Sequence, residues 1–153
     1  MAVSLEKLVF EQLETKLNEI TWANNVEVER FKLGVTDFRD SDIPAIQVID
    51  AGMTSTPETR RNRKSWLILI QIILKSKSID EVDQGDLFDR MKDVELKIGE
   101  DPTLGLNNPS FGTEDKIVHM TLVSRDTDTM SAPFYIGSLV FNVESTAPYT
   151  GVC

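Results

Sequence analysis

Two periods of hydrophobic and polar positions run along this chain. Over residues 4–19, Leu5, Leu8, Val9, Leu13, Leu17 and Ile20 recur at helical spacing, with Glu6, Lys7, Glu11 and Glu14 on the opposite side. Ser4 is placed to cap that helix, and Glu6 falls where the helix dipole favours an acid. A second helix is signalled by Ser78-Ile79-Asp80-Glu81, a capping box, and by the stripe Leu87, Phe88, Met91, Val94 and Ile98. Gly85 moves its regular part towards residue 84, and Gly99 and Pro102 end it.

Strand periodicity is clearest at residues 66–75. Trp66, Ile68, Ile70, Ile72 and Leu74 share one face, and Leu67, Leu69, Gln71 and Ile73 share the other. A strand with one solvated face alternates apolar with polar, and this one is apolar on both sides. The face bearing Leu67, Leu69 and Ile73 therefore needs cover that two helices on the other side do not supply. Shorter strands are predicted at residues 26–33, 45–50 (led by Pro44), 117–123 and 134–143. Residues 52–64, 101–114 and 125–132 lack apolar periodicity and read as connections. Segregated strands and helices argue against a doubly wound parallel sheet. The expected fold is α+β, an antiparallel sheet of about five strands with two helices packed on one face. One domain is expected over residues 1–146, followed by an extended C-terminal tail, residues 147–153, that includes Pro148 and Tyr149.

Composition narrows the function. With 153 residues, 41% of them hydrophobic and 27% charged, the chain has the make-up of one globular domain. The longest apolar run is too short to span a bilayer as a helix, so no membrane partner is expected. Cys153 is the only cysteine, so no internal disulfide is possible, and a cytoplasmic origin is expected. A net charge of −9 argues against a protein that binds DNA by neutralising phosphates. It is compatible with a passive relation to DNA, since an acidic wall repels a duplex and lets it slide.

Catalytic chemistry is hard to assemble from these residues. The one histidine, His119, sits within an apparent strand and reads as structural, and zinc would want further His or Cys ligands. Asp37, Asp40 and Asp42 are close in sequence, but Asp42 and Val48 occupy the positions where a calcium loop needs glycine and glutamate. Asp80, Glu81, Asp83, Asp86, Asp89 and Asp93 fit the front and outer face of a solvated helix that also carries Arg90, Lys92 and Lys97. No cofactor or metal and no enzymatic activity are expected. The basic cluster Arg60, Arg61, Arg63 and Lys64 supports two readings. It is either a solvated gatekeeper beside an apolar strand or an arm that docks on an acidic face of a neighbouring subunit or partner. Nucleic-acid contact is a lesser option, because no aromatic residues interleave the cations.

The order of features resembles the tail terminator (tail completion or tail-to-head joining) proteins of long-tailed bacteriophages. The resemblance spans most of residues 4–146 and rests on a pattern of elements. These are the amphipathic helix ending before Trp22, the proline-led stretch Ile43-Pro44-Ala45-Ile46-Gln47-Val48, the basic connection, the apolar strand at 66–74, the helix containing Asp86-Leu87-Phe88-Asp89-Arg90-Met91, and the closing strand pair near Val143-Glu144. It implies a virion subunit of the tail and neck region, assembled in the host cytoplasm. Such a subunit forms a hexameric ring with copies of itself, caps the tail tube protein, and meets a neck, connector or head-completion protein. DNA would pass through the lumen without being bound, and six copies would line it with about −54 charges. Another neck, head–tail adaptor or tail subunit is the nearest alternative. A small intracellular enzyme or a monomeric ligand-binding module is the alternative from a different class.

Overall fold

The computed structural model describes residues 5–28, 43–57, 61–75, 84–101, 104, 116–131 and 134–148. The chain is α+β, with the order α1 (Leu5–Leu17), β1 (Asn25–Val28), β2 (Ala45–Pro57), β3 (Arg61–Lys75), α2 (Gln84–Gly99), β4 (Lys116–Ser131) and β5 (Phe134–Pro148). The five strands form one sheet in the order β1-β2-β3-β5-β4. The most apolar strand, β3, takes the centre, antiparallel to β2 on one side and to β5 on the other. β4 completes the sheet antiparallel to β5.

β1 departs from the expected antiparallel arrangement. It runs parallel to β2, from Asn25 opposite Ala45 to Val28 opposite Val48, so the sheet is mixed. A parallel neighbour needs a crossover of a dozen or more residues, and the connection 29–44 has that length. Asn24 fixes the start of the pair twice, donating its backbone N–H to the Pro44 carbonyl at 2.8 Å and its side-chain amide to the Ile43 carbonyl at 2.8 Å.

The strands also run further than their side-chain alternation signals. Residues 52–57 and 61–64, expected within a loop, are the outer part of a β2–β3 hairpin paired from Met53 opposite Trp66 to Pro57 opposite Asn62. Residues 125–131 continue β4, and Ala147 and Pro148, expected to begin the extended C-terminal tail, pair with Asn62 and Arg61 of β3. Alternation reports burial of side chains, whereas a ladder is held by backbone groups. A polar segment flanked by strands on both sides, as residues 61–65 are, satisfies its backbone without burying anything apolar. The hairpin changes course at Gly52, whose φ of 108° suits glycine and whose N–H donates to Asp50 Oδ1 at 2.9 Å.

One face of the sheet carries the main core. Rows of cross-strand partners such as Val48–Ile70–Leu139 and Trp66–Val143–Met120 meet Leu8, Val9, Leu13 and Leu17 of α1 and Leu87, Met91, Val94 and Ile98 of α2. Each wholly buried aliphatic side chain there contributes about 1.5–3 kcal/mol. Phe10 meets Trp66 edge to face, with centroids 5.1 Å apart. Gly137 brings α2 close to β5, since a Cβ there would lie 2.5 Å from Met91 Sδ and 3.1 Å from Leu87 Cδ1. Phe88, expected in the buried stripe, is instead 41% exposed. Leu87 and Met91 take the inward positions and leave Phe88 on the flank of the helix.

Candidate assembly surfaces

The helix-covered side is closed by polar contacts between α1 and α2. Trp22, just beyond α1, donates its indole N–H to Asp93 Oδ2 at 2.9 Å, and the Arg90 guanidinium lies 4.8 Å from the Trp22 ring centroid. Arg90 Nε in turn donates to Asp86 Oδ2 at 2.9 Å, while its Nη1 is buried without a hydrogen-bond partner. Lys97 Nζ sits 2.7 Å from Glu19 Oε2 and 3.5 Å from Glu100 Oε2. The hydrogen bond from Lys97 holds the Glu19 carboxyl below its ordinary pKa, and the same bond raises Lys97 above its own. Of the helix acids, Asp93 is therefore a fastening between elements, while Asp86 holds Arg90 within α2. Sequence gave no signal for the Trp22–Asp93 contact, because its partners are 71 positions apart.

The other face of the sheet differs from end to end. At one end Ala45, Ile73 and Ile136 lie side by side, with Ala45 and Ile73 fully buried and Ile43 packed against them. Next to them the buried pair Gln47 and Gln71 joins across β2 and β3, with Gln47 Nε2 donating to Gln71 Oε1 at 3.2 Å. One row further on, Ile49, Leu69 and Val140 are half-buried, and beyond them Leu67 is 38% exposed. Of the three residues expected to need cover, Ile73 has it within the chain. Leu69 is partly sheltered, and Leu67 faces solvent.

The strand start that carries Arg61, Arg63 and Lys64 lies in the hairpin, between β2 and the end of β5. Lys64 is half-buried, and the neighbouring Ser65 hydroxyl donates to Asn142 Oδ1 at 2.6 Å. Arg60 and Tyr149 lie outside the described residues. Pro148, expected in the C-terminal arm, is a ladder partner of Arg61.

A separate groove opens between α2 and β4. It has a volume of about 460 Å³ and is lined by Phe88, Met91, Arg125, Asp126 and Thr127. The Arg125 guanidinium lies 5.9 Å from the Phe88 ring centroid, and Arg125 and Asp126 are exposed. Val123, beside an irregularity in β4, is 58% exposed. The sequence pattern missed this groove because it placed Phe88 in the core.

Among the described residues no group of three or more His, Cys, Asp or Glu is arranged to hold a metal ion. His119 stands opposite Glu144 in the β4–β5 ladder. Asp37, Asp40, Asp42, Asp80, Glu81, Asp83 and Cys153 lie outside the described residues. Among the described residues no helix is long and apolar enough to cross a membrane.

No protein-family model matches the chain, and no curated protein matches its sequence. Among solved structures, a chain of the virion of a native gene transfer agent particle shares the fold at a TM-score of 0.51 and 9% identity, over 90% of this chain and 94% of that one.

Proposed function

We propose that this protein is a structural subunit of a phage-like virion, and within it a tail terminator. In this reading copies of the chain close into a ring, expected to be hexameric, that caps the tail tube and presents a joining surface to the neck or head. The observation that carries the reading is the shared fold with a virion chain, which extends over nearly the whole length of both proteins. The sheet adds a second support. Leu67 is exposed beside half-buried Ile49, Leu69 and Val140, on a strand whose other face is fully enclosed. A neighbouring subunit is the natural cover for such a strip. A chain of net charge −9 also suits a collar through which DNA passes without sticking.

The test is removal of the protein from particle assembly, followed by electron microscopy of the products. Without a terminator the tube lacks its stop, so tubes of uncontrolled length are expected together with tailless heads. Tubes of normal length that fail to join heads would identify a neck adaptor instead. Particles of normal form and yield would end the virion reading.

A further inference from the structure

Among the described strands, the two outer ones have a neighbour on one side only, β1 on β2 and β4 on β5. Such a strand turns half of its N–H and C=O groups away from the ladder, which makes it a template for a further strand. Solvent reaches β4 along much of its length, since Thr121, Val123, Ser124, Arg125 and Asp126 are exposed. Register irregularities cut β4 into short runs, and residues 119–122 form one run of four, paired one to one with residues 141–144. β1 is also four residues long. Direction fits as well. β2 and β5 run one way and β3 and β4 the other, while β1 runs with β2. Copies set side by side in one orientation therefore bring β4 of one against β1 of the next antiparallel, with both helix layers on the same side.

Side chains select the register. On the helix-covered face Val26 and Val28, opposite Ile46 and Val48, are half-buried at one rim of the core. Met120 and half-buried Leu122, opposite Val143 and Phe141, form the rim at the other edge. On the other face Asn25 Nδ2 donates to Glu27 Oε1 at 2.8 Å, and exposed Thr121 stands opposite Asn142. Pairing Val26 with Leu122 and Val28 with Met120 joins the two rims and sets Glu27 opposite Thr121. It ends at the irregularity after Leu122, where Val123 is 58% exposed. A slip of one residue would set valine against Thr121 and put apolar and polar side chains on the wrong faces. The second run of β4, residues 124–128, offers Arg125 and Thr127 on the helix side and no apolar rim.

We infer that β1 of one copy adds antiparallel to β4 of the next, with Val26 opposite Leu122 and Val28 opposite Met120, so that the sheet continues from copy to copy. This rests on the self-assembly reading and names the joint between ring neighbours. Different surfaces meet at it, so it is a head-to-tail contact that closes into a ring wherever the rotation allows. It is distinct from the Leu67 strip, which lies on the face of the sheet and not at its edge, and neither contact excludes the other.

Directed cross-linking tests it in a Cys153→Ser background. Residues directly opposite across an antiparallel pair have Cβ atoms about 5 Å apart. Glu27→Cys with Thr121→Cys should therefore give a ladder of disulfide-linked multimers on mild oxidation, and a mixture of the two single variants should stop at a linked dimer. Glu27→Cys with Asp126→Cys, about 17 Å further along β4, should link poorly. In sedimentation Thr121→Glu, which sets like charges opposite each other, should associate about threefold or more weakly than Thr121→Lys. Adding Glu27→Lys to Thr121→Glu should restore association, and circular dichroism would show that each variant is folded. Efficient linking of either single variant to itself would mean a symmetric contact and overturn the inference, as would the absence of a ladder from the Glu27–Thr121 pair. If purified particles contain the protein in a ring and still yield no ladder, the joint is wrong and the terminator reading stands. If the protein is absent from particles, the terminator reading fails by itself, and the ladder still decides the contact.

Discussion

The two faces of the central sheet are made from the same strands, yet they are finished differently. On the helix-covered face Ile46, Val48, Ile68, Ile70, Ile72 and Leu139 are wholly buried under α1 and α2. The opposite face is closed at one end by Ala45 and Ile73, crossed by a buried glutamine pair, and then opens through Leu69 to Leu67. The first face has what a monomer needs to fold. On the second, apolar surface is graded from enclosed to exposed within a single strand, and on the proposed role it is the side for a neighbour to cover. On the proposed role, stability and assembly should therefore separate by face.

The largest effects should come from the enclosed face. Ile70→Ala should cost about 2–5 kcal/mol in urea unfolding, since the removed methyl groups leave a cavity between the sheet and the helices. Leu67→Ser, three positions away on the opposite face, should cost about 1 kcal/mol or less in the same measurement. If the proposed role as an assembling subunit holds, it should instead weaken association between copies in sedimentation. Equal losses of stability from the two substitutions would erase the distinction between the faces.

The same contrast explains what could be read from sequence. The helix-covered face was legible because every second residue from Trp66 to Leu74 is large and apolar, and so were both helices. The hairpin was not, because Thr54, Ser55, Thr56, Asn62 and Arg63 are held by backbone pairing and leave no burial signal. The parallel setting of β1 depends on a connection whose path its residues do not announce. Phe88 was misplaced because a helical stripe one residue too wide looks like core. The groove it lines and the Trp22–Asp93 fastening arise only when distant segments meet. Of the expected docking residues, the basic strand start was visible as charge, but its place beside the end of β5 was not.

Intermediate effects should come from places where the two layers are fitted closely. Gly137→Ala should destabilise by about 1–3 kcal/mol, because the new methyl group meets Met91 and Leu87. Combined with Met91→Ala it should cost less than the sum of the two, since the second change opens the space that the first needs. On the opposite face, Gln71→Leu should cost about 1–3 kcal/mol by removing the acceptor of the buried Gln47 amide. The double variant Gln47→Leu with Gln71→Leu should lose less than the sum of its singles. Strict additivity would mean that the two amides do not depend on each other.

The smallest effect concerns the contact between the helices, and pH reveals it better than a single stability value. The Glu19 carboxyl is held below its ordinary pKa by the hydrogen bond and charge of Lys97. Its contribution to stability is therefore present above the ordinary glutamate value, about 4.3, and is lost as pH falls through the lower value of the folded state. Lys97 is raised by the same partner, so its contribution is present below about 10.4 and is lost as pH rises through the higher folded value. Between those limits the pair is intact, and Glu19→Gln should lower the melting temperature slightly. The difference from the unsubstituted protein should shrink as pH falls through the acid limit, and should shrink again near neutral pH in molar salt, because both groups lie close to solvent. Trp22→Phe, which removes the N–H donated to Asp93, should lower the melting temperature slightly near neutral pH. A Glu19→Gln difference that persists unchanged at pH 3 would mean that the side chain acts through packing, and that α1 and α2 are joined by Trp22 and the apolar stripe alone.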